Sequence, residues 1–399
     1  MAPAPARERE GVDVAGSQAG SHQIDWEPRS AEAQTDQIAT YDAMRARCPV
    51  AYSRFGNWTV FGHADNVAIL DDPETYSNAV SHHRSVPNGY DGAEHAAYRA
   101  IVDRYYTPER MAAFEPECRR IARELVGALP LGEDIELMGA LAEPFANNVQ
   151  CAFMGWPESL RMPLREWTRK NHDATLAADR EAMSAVALEF DRFIAEQLDQ
   201  RRDAPAELDV TAALLHEQID GRLLSDDEIV SIIRNWTVGE LATIAAAVGI
   251  MAHFLAERPE VQRLLRDDPA RLVDASDEIL RIQAPLIGNR RRTTKPVSIG
   301  GRAIPAGERV IVLWASANRD ERVFGDPDEF RLDRDPADNL VYGRGVHFCP
   351  GAPLARLELR VLFEELFAAT RGIGLARTGT PVNARYPTGG YQRIPLRME

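Results

Sequence analysis

Apolar residues recur at helical spacing through the middle of the chain. Between about residues 93 and 283 the pattern is mostly helical, as where Ile101, Val102 and Tyr105 keep i, i+1, i+4 spacing. Val186 to Arg201 is a long amphipathic run that ends at Asp203-Ala204-Pro205. Ser225 stands as an N-cap with Glu228 at the capping-box position. The helix that follows extends to about Glu257, roughly 30 residues or ~45 Å, enough to cross the whole molecule. Period-two patterning is confined to short stretches. Val50-Ala51-Tyr52 and Trp58-Thr59-Val60-Phe61 flank Arg54-Phe55-Gly56-Asn57 and predict a hairpin. Val297 to Ile299, Ala303-Ile304 and Val310 to Leu313 read as strands, a Pro/Asp/Gly-rich meander covers 318 to 338, and a last helix runs from about Ala352 to Thr370. The expected fold is mainly α with a minor β part. Residues 1–24 read as a flexible tail of Ala, Gly, Ser, Pro and charge, and 25–399 as one domain.

Composition narrows the function classes. The 399 residues carry a formal charge of −15, a poor footprint for nucleic acid or an anionic membrane surface. Leu241 to Ala256 is the longest apolar stretch, but Thr243 and His253 interrupt it, so it predicts a buried helix and no membrane span. There is no secretory h-region, and the four cysteines (Cys48, Cys118, Cys151, Cys349) form no CxxC pair. The expected location is the cytoplasm. No GxGxxG, GxxxxGK[ST] or HExxH occurs, which leaves nucleotide-binding and zincin readings without an anchor.

One segment carries chemistry. Residues 342–351 read Tyr-Gly-Arg-Gly-Val-His-Phe-Cys-Pro-Gly and bring Cys349 to the start of the last helix. Gly343, Gly345 and Gly351 let the backbone bend and approach a flat partner. A thiolate at a helix N-terminus is stabilised by free N–H groups and the macrodipole, and such a sulfur is a strong axial ligand for iron. The run resembles the cysteine loop of the cytochrome P-450 family, haem-thiolate monooxygenases, with Tyr342 in place of that family's Phe. Its five fixed positions arise by chance in about 10⁻⁵ of such chains.

The resemblance extends over about 260 residues. Glu278-Ile279-Leu280-Arg281 is similar to the family's ExxR brace, 71 residues before the cysteine. Arg331 and Arg334 are the candidates for its third member, with Arg334 favoured. His95 and Arg99 resemble the family's His-x-x-x-Arg. By resemblance, His95, Arg99, Arg291 and His347 are candidates to pair the two propionates of a haem b. Tyr342, Gly343 and Gly351 would shape the loop around it, and Cys349 would hold the iron. The fold implied is a single haem domain, with the cofactor buried between the long helix and the Cys loop.

The long helix departs from the family. It reads Trp236-Thr237-Val238-Gly239-Glu240-Leu241-Ala242-Thr243, where the family usually has Ala-Gly-x-(Asp/Glu)-Thr. Aligned on Gly239, Leu241 takes the place of the acid and Ala242 that of the alcohol. Glu240 and Thr243 replace them only if the helix is locally bulged or kinked. Two outcomes stay open. Water or substrate completes the proton relay with O2, the preferred reading, or hydrogen peroxide is the oxidant. A non-catalytic haem-thiolate sensor is a more distant alternative. Val238, Leu241, Leu286 and Ile287 are expected to wall a pocket for a small apolar or aromatic substrate, with the 78–90 loop, His82 and His83 included, nearby. The run from Asn235 to Leu241 also resembles the haem domains of self-sufficient members fused to a flavin and iron–sulfur reductase. Electrons are expected from such a reductase or from a ferredoxin, with Arg344, Arg356 and Arg360 as a docking face for an acidic donor.

Overall fold

The protein is described by a computed structural model covering residues 23–81, 83–177 and 179–399. Most of the expected tail 1–24, and His82, lie outside these described residues.

Eight helices frame the interior. They are α1 (Gly92–Asp103), α2 (Pro108–Gly127), α3 (Glu143–Met154), α4 (Arg161–Ala177), α5 (Arg180–Asp199), α6 (Asp226–Glu257), α7 (Leu272–Ile282) and α8 (Ala352–Ala369). The 32-residue α6 is the axis. It starts at the expected capping box, where Ser225 accepts from Glu228 N and the Glu228 carboxylate accepts from Ser225 N at 2.7 Å. Asp226 and Asp227 add negative charge at the positive end of its dipole. Around α6 pack α3, α5, α7 and α8, and α2 lies along α8. By length and composition α6 passes for a membrane span, yet 72% of its most apolar window is buried inside the fold. A helix apolar nearly all round belongs in a core of this size.

The β part forms a second core beside the helices. Strands β1 (Val50–Ser53), β2 (Asn57–Val60), β3 (Tyr76–Ser77), β4 (Asn289–Thr293) and β5 (Arg309–Val312) make one sheet in the order β1-β2-β5-β4-β3. The β1–β2 hairpin has the expected antiparallel register, with Val50 opposite Val60 and Ser53 opposite Asn57. Strand β5 runs parallel to β2 and antiparallel to β4. Trp58, Val60, Val310 and Val312 are at most 1% exposed and anchor this core. Val297–Ile299 and Arg302–Ile304 form a separate hairpin. The chain's last strand, Pro395–Met398, pairs with Ile373–Leu375 and Asp134–Glu136.

Candidate functional site

The Cys349 loop lies between the start of α8 and a cavity of about 1330 Å³ under α6. Ordinary small-molecule pockets hold ~300–1,000 Å³, so this one has room for a flat macrocycle and a further ligand. The loop folds on itself through backbone bonds from Gly343 N to Leu340 O (2.9 Å), Phe348 N to Gly345 O (3.0 Å) and Cys349 N to Tyr342 O (2.9 Å). At Gly345 φ is +70°, and a Cβ there would sit 2.7 Å from the Leu70 carbonyl oxygen, so only glycine fits. Helix α8 begins at Gly351 with no side-chain cap. The Ala352 N–H donates to the Cys349 carbonyl at 3.4 Å, and the Gly351 and Ala352 N–H groups lie close enough to favour negative charge on the Cys349 sulfur. Burial pushes the thiol up, while these two N–H groups and Arg99 pull the other way.

Beneath the loop is a fully internal brace. Arg281, 1% exposed, is bidentate to Glu278 at 2.7 and 2.9 Å. The Arg334 guanidinium joins Glu278 at 3.0 Å, whereas that of Arg331 turns outward to Asp333 and only its backbone N–H reaches Glu278. Arg281 also donates to the Asn318 carbonyl at 2.8 Å, and the Asn318 side-chain oxygen accepts from Leu340 N at 2.8 Å. A continuous chain of bonds thus runs from the ion pair into the cysteine loop. Asn318 holds its middle, a role that the sequence motif alone does not assign.

On the cavity's other rim, basic groups converge without matching acids. Arg291 is 4% exposed, and its guanidinium makes one hydrogen bond, to the Arg290 carbonyl at 2.9 Å. Burial pulls it down to about 10. The His95 and His347 rings are 4.1 Å apart. Burial, then His95 and Arg291, push His347 down to about 3, so it is neutral near pH 7. Its Nε2 is buried without a hydrogen bond, and Asp91, 3.8 Å away, is committed to Ser77 and Asn78. A buried guanidinium and two buried imidazoles facing one space are the complement of a ligand's carboxylates. Arg99 is differently employed: it clamps the Phe348 carbonyl at 2.6 Å and the Val346 carbonyl at 3.3 Å, and pairs with Asp103. These residues fit a haem: Cys349 would ligate its iron, and Arg291, His95 and His347 would pair its propionates. Tyr342 packs under Arg356, 4.7 Å from ring to guanidinium, with its buried hydroxyl beside Asp277.

Helix α6 forms the distal wall. Helix α6 is α-helical throughout, with no bulge. Val238, Gly239, Ala242 and Thr243 form one strip at i, i+1, i+4, i+5 that opens on the cavity. Thr243 therefore reaches the cavity without a kink, because it is four residues from Gly239 and shares its face. Its hydroxyl has no side-chain hydrogen bond to any described residue. Leu241 turns the other way, 2% exposed in the helical core. Of the expected substrate wall, Val238 and Leu286 are open (41% and 42% exposed), while Leu241 and Ile287 are buried and only border the space.

Glu240 is one residue, ~100°, away from the open strip. It meets Glu358 of α8 instead, a residue absent from the sequence-derived site. Both oxygens of Glu358 and Oε1 of Glu240 are buried with no cation or N–H partner. Burial raises both carboxyls between α6 and α8, Glu240 to about 7 and Glu358 well above its ordinary value, the latter also through the neighbouring Glu240. A signal for Glu358 exists in the sequence: it interrupts the apolar stripe Leu354, Leu357, Val361 of the last helix.

The expected docking arginines are all committed internally. Arg344 pairs with Asp71, Arg356 with Asp277, and Arg360 with Glu115 and Glu364. They make no free basic face.

Comparisons with known proteins agree with this geometry. The family model described as Cytochrome P450 (written P-450 below) matches residues 117–369. The erythromycin C-12 hydroxylase of Saccharopolyspora erythraea is 31% identical over 350 residues, covering 84% of this chain and 87% of that protein. The 6-deoxyerythronolide B hydroxylase of the same organism is 29% identical, covering 91% and 96%. Among solved structures, an open cytochrome P-450 EryK from S. erythraea superposes with a TM-score of 0.85 at 30% identity, covering 94% of this chain and 98% of that one. A Bacillus megaterium protein solved with corticosterone gives 0.82 at 26% identity, covering 92% and 99%.

Proposed function

The chain belongs to the cytochrome P-450 family, and from that premise we propose that it is a monooxygenase inserting one atom of O2 into a small apolar or aromatic substrate, with haem b on Cys349. The observation that carries this reading is the Cys349 sulfur at the uncapped start of α8, facing a cavity whose rim holds the buried Arg291 and a His347 Nε2 that makes no hydrogen bond. Bound haem supplies the oxygen activation that no side chain performs. The chain's own residues do the rest. Cys349 ligates, and its neighbouring N–H groups hold the charge on sulfur. Arg291, His95 and His347 would hold the ring through its propionates. Gly239 and Ala242 keep the cavity open along α6, and Val238 and Leu286 would exclude water around the substrate. The Thr243 hydroxyl holds a water and passes a proton toward the cavity.

The open strip of α6 offers that one hydroxyl and no carboxylate. This favours a second reading, in which hydrogen peroxide is the oxidant and brings its own protons. For the first reading, electrons come from a ferredoxin or a flavin/iron–sulfur reductase. The Asn235–Leu241 run resembles that of reductase-fused members, but the hydroxylases matched above lend a fused arrangement no support, which leaves a separate donor as the preferred source. The site of action is the cytoplasm. The hydroxylases of erythromycin C-12 and of 6-deoxyerythronolide B support oxygenation of a carbon skeleton as the reaction type.

The test loads the protein with haem, records the reduced carbon monoxide spectrum, and compares product yield with O2 plus reductase against peroxide alone. A thiolate-type band with O2-driven product is expected. A band typical of a histidine ligand overturns the reading, and product from peroxide alone moves it to the second one.

A further inference from the structure

The cavity has a second, solvent-facing rim. It is formed by the turn between β1 and β2, the β4–β5 ladder, the α4–α5 junction and the turn at Tyr386. In register, Arg309 lies opposite Arg292 and Ile311 opposite Arg290. Side chains alternate along a strand, so Arg290, Arg292 and Arg309 share one face and Arg291 takes the other. Arg54, Arg169 and Arg180 join Arg290 and Arg309 along the rim. Among the described residues no carboxylate lies within ion-pair distance of any of these five. Of the rim's acids, Glu143 is taken by Arg165 at 3.0 Å, and Asp173 stands alone.

Like charges facing each other across a ladder are destabilising. After burial, Arg309 is pushed down by Arg290, Arg180 and Arg292 in turn, which puts the four guanidiniums within electrostatic reach of one another. In a chain of net charge −15, such a local excess of cations is the opposite of the average surface. Aromatic surface lies alongside: Phe55 and Tyr386 meet edge-on at 5.6 Å, and Arg29 stacks on Phe55 at 3.9 Å.

We propose that this rim selects a substrate with a carboxylate at the end remote from the oxidised carbon, held by Arg290 and Arg309, with Arg54 and Arg180 steering it in. The apolar or aromatic body then extends along Phe55 and Tyr386 toward Val238 and Ala242. The inference rests on the monooxygenase reading and sharpens its substrate class. A guanidinium pair recognises a planar carboxylate through charge-assisted bonds, each worth ~1.5–3 kcal/mol, or about 10- to 100-fold in affinity.

The test uses haem-loaded protein and the substrate-induced shift of the ferric spectrum. The probes are ω-phenylalkanoates and straight-chain alkanoates of graded length, each beside its primary alcohol. The acids are expected to bind at least ~10-fold tighter than the alcohols, with the gap narrowing in high salt. Arg290→Ala with Arg309→Ala is expected to erase the gap, and the lysine versions to restore part of it, with the carbon monoxide band kept throughout. Equal affinity of acids and alcohols, no shift with any acid, or a double variant that weakens only the donor protein's binding each overturns the inference. A missing thiolate band in the unmutated protein overturns the monooxygenase reading itself.

Discussion

The floor and the ceiling of the cavity are built by opposite rules. On the floor, almost every polar group has an internal partner: Glu278 with Arg281 and Arg334, Asn318 with Arg281 and Leu340, Arg99 with the loop carbonyls, Arg356 with Asp277. At the ceiling and the outer rim, groups stand open. Among the described residues, the Thr243 hydroxyl makes no hydrogen bond and five rim arginines have no carboxylate within ion-pair distance. A partnered network fixes geometry, and unpartnered groups define what can bind or exchange protons. A floor of this kind suits holding a cofactor in one pose, and a ceiling and rim of this kind suit selecting what reaches it.

The contrast can be broken most sharply at the floor. Cys349→Ser removes the thiolate and is expected to abolish the thiolate-type carbon monoxide band and O2-driven turnover, with the helical circular dichroism retained; an unchanged band would refute the ligand assignment. Glu278→Gln leaves two buried guanidiniums without their carboxylate. It is expected to cost about 3–5 kcal/mol, read as a fall in the urea midpoint and poor haem retention. Arg331→Ala, by comparison, should stay within ~0.5 kcal/mol, because that side chain pairs at the surface. If Arg331 and Arg334 variants behave alike, the brace is misassigned.

The ceiling is expected to respond in kinetics before stability. Thr243→Ala should lower product formed per O2 consumed by about 10²-fold while sparing peroxide-driven turnover. Equal losses in both would show that the hydroxyl positions substrate and carries no proton. The smallest effect concerns Glu240 and Glu358. Both carboxyls are raised in the folded protein, so it holds protons that the unfolded chain has released. Stability from this pair is full below about pH 4.5 and is lost as pH rises through about 7. Glu358→Gln should flatten that slope and leave the variant ~1–3 kcal/mol more stable than the parent at pH 8, measured by urea unfolding at pH 5 and pH 8. An unchanged slope would mean that the pair does not hold those protons.

Much of this molecule was legible from residue order alone, and for local reasons. The Cys349 loop, the Ser225–Glu228 cap and the β1–β2 hairpin are each specified within about a dozen neighbouring residues. Failures came where a helix had to be given a rotation or a charge had to be given a partner. Leu241 and Ile287 border the cavity yet are almost wholly buried, a rotation that residue order near Gly239 does not reveal. Arg344, Arg356 and Arg360 read as a basic face because Asp71, Asp277 and Glu115 are 79 to 273 residues away in the chain. Glu358 escaped notice because nothing local shows that α6 brings Glu240 against it.

Asn318 ties the Glu278 brace to Leu340 by two bonds of 2.8 Å, one through its carbonyl and one through its side chain. Meander, brace and cysteine loop therefore share one set of constraints and constitute a single cooperative unit. Amide exchange in this region is expected to report one common opening event, so that any fluctuation freeing the Cys349 sulfur also dissolves the fold that delivers it.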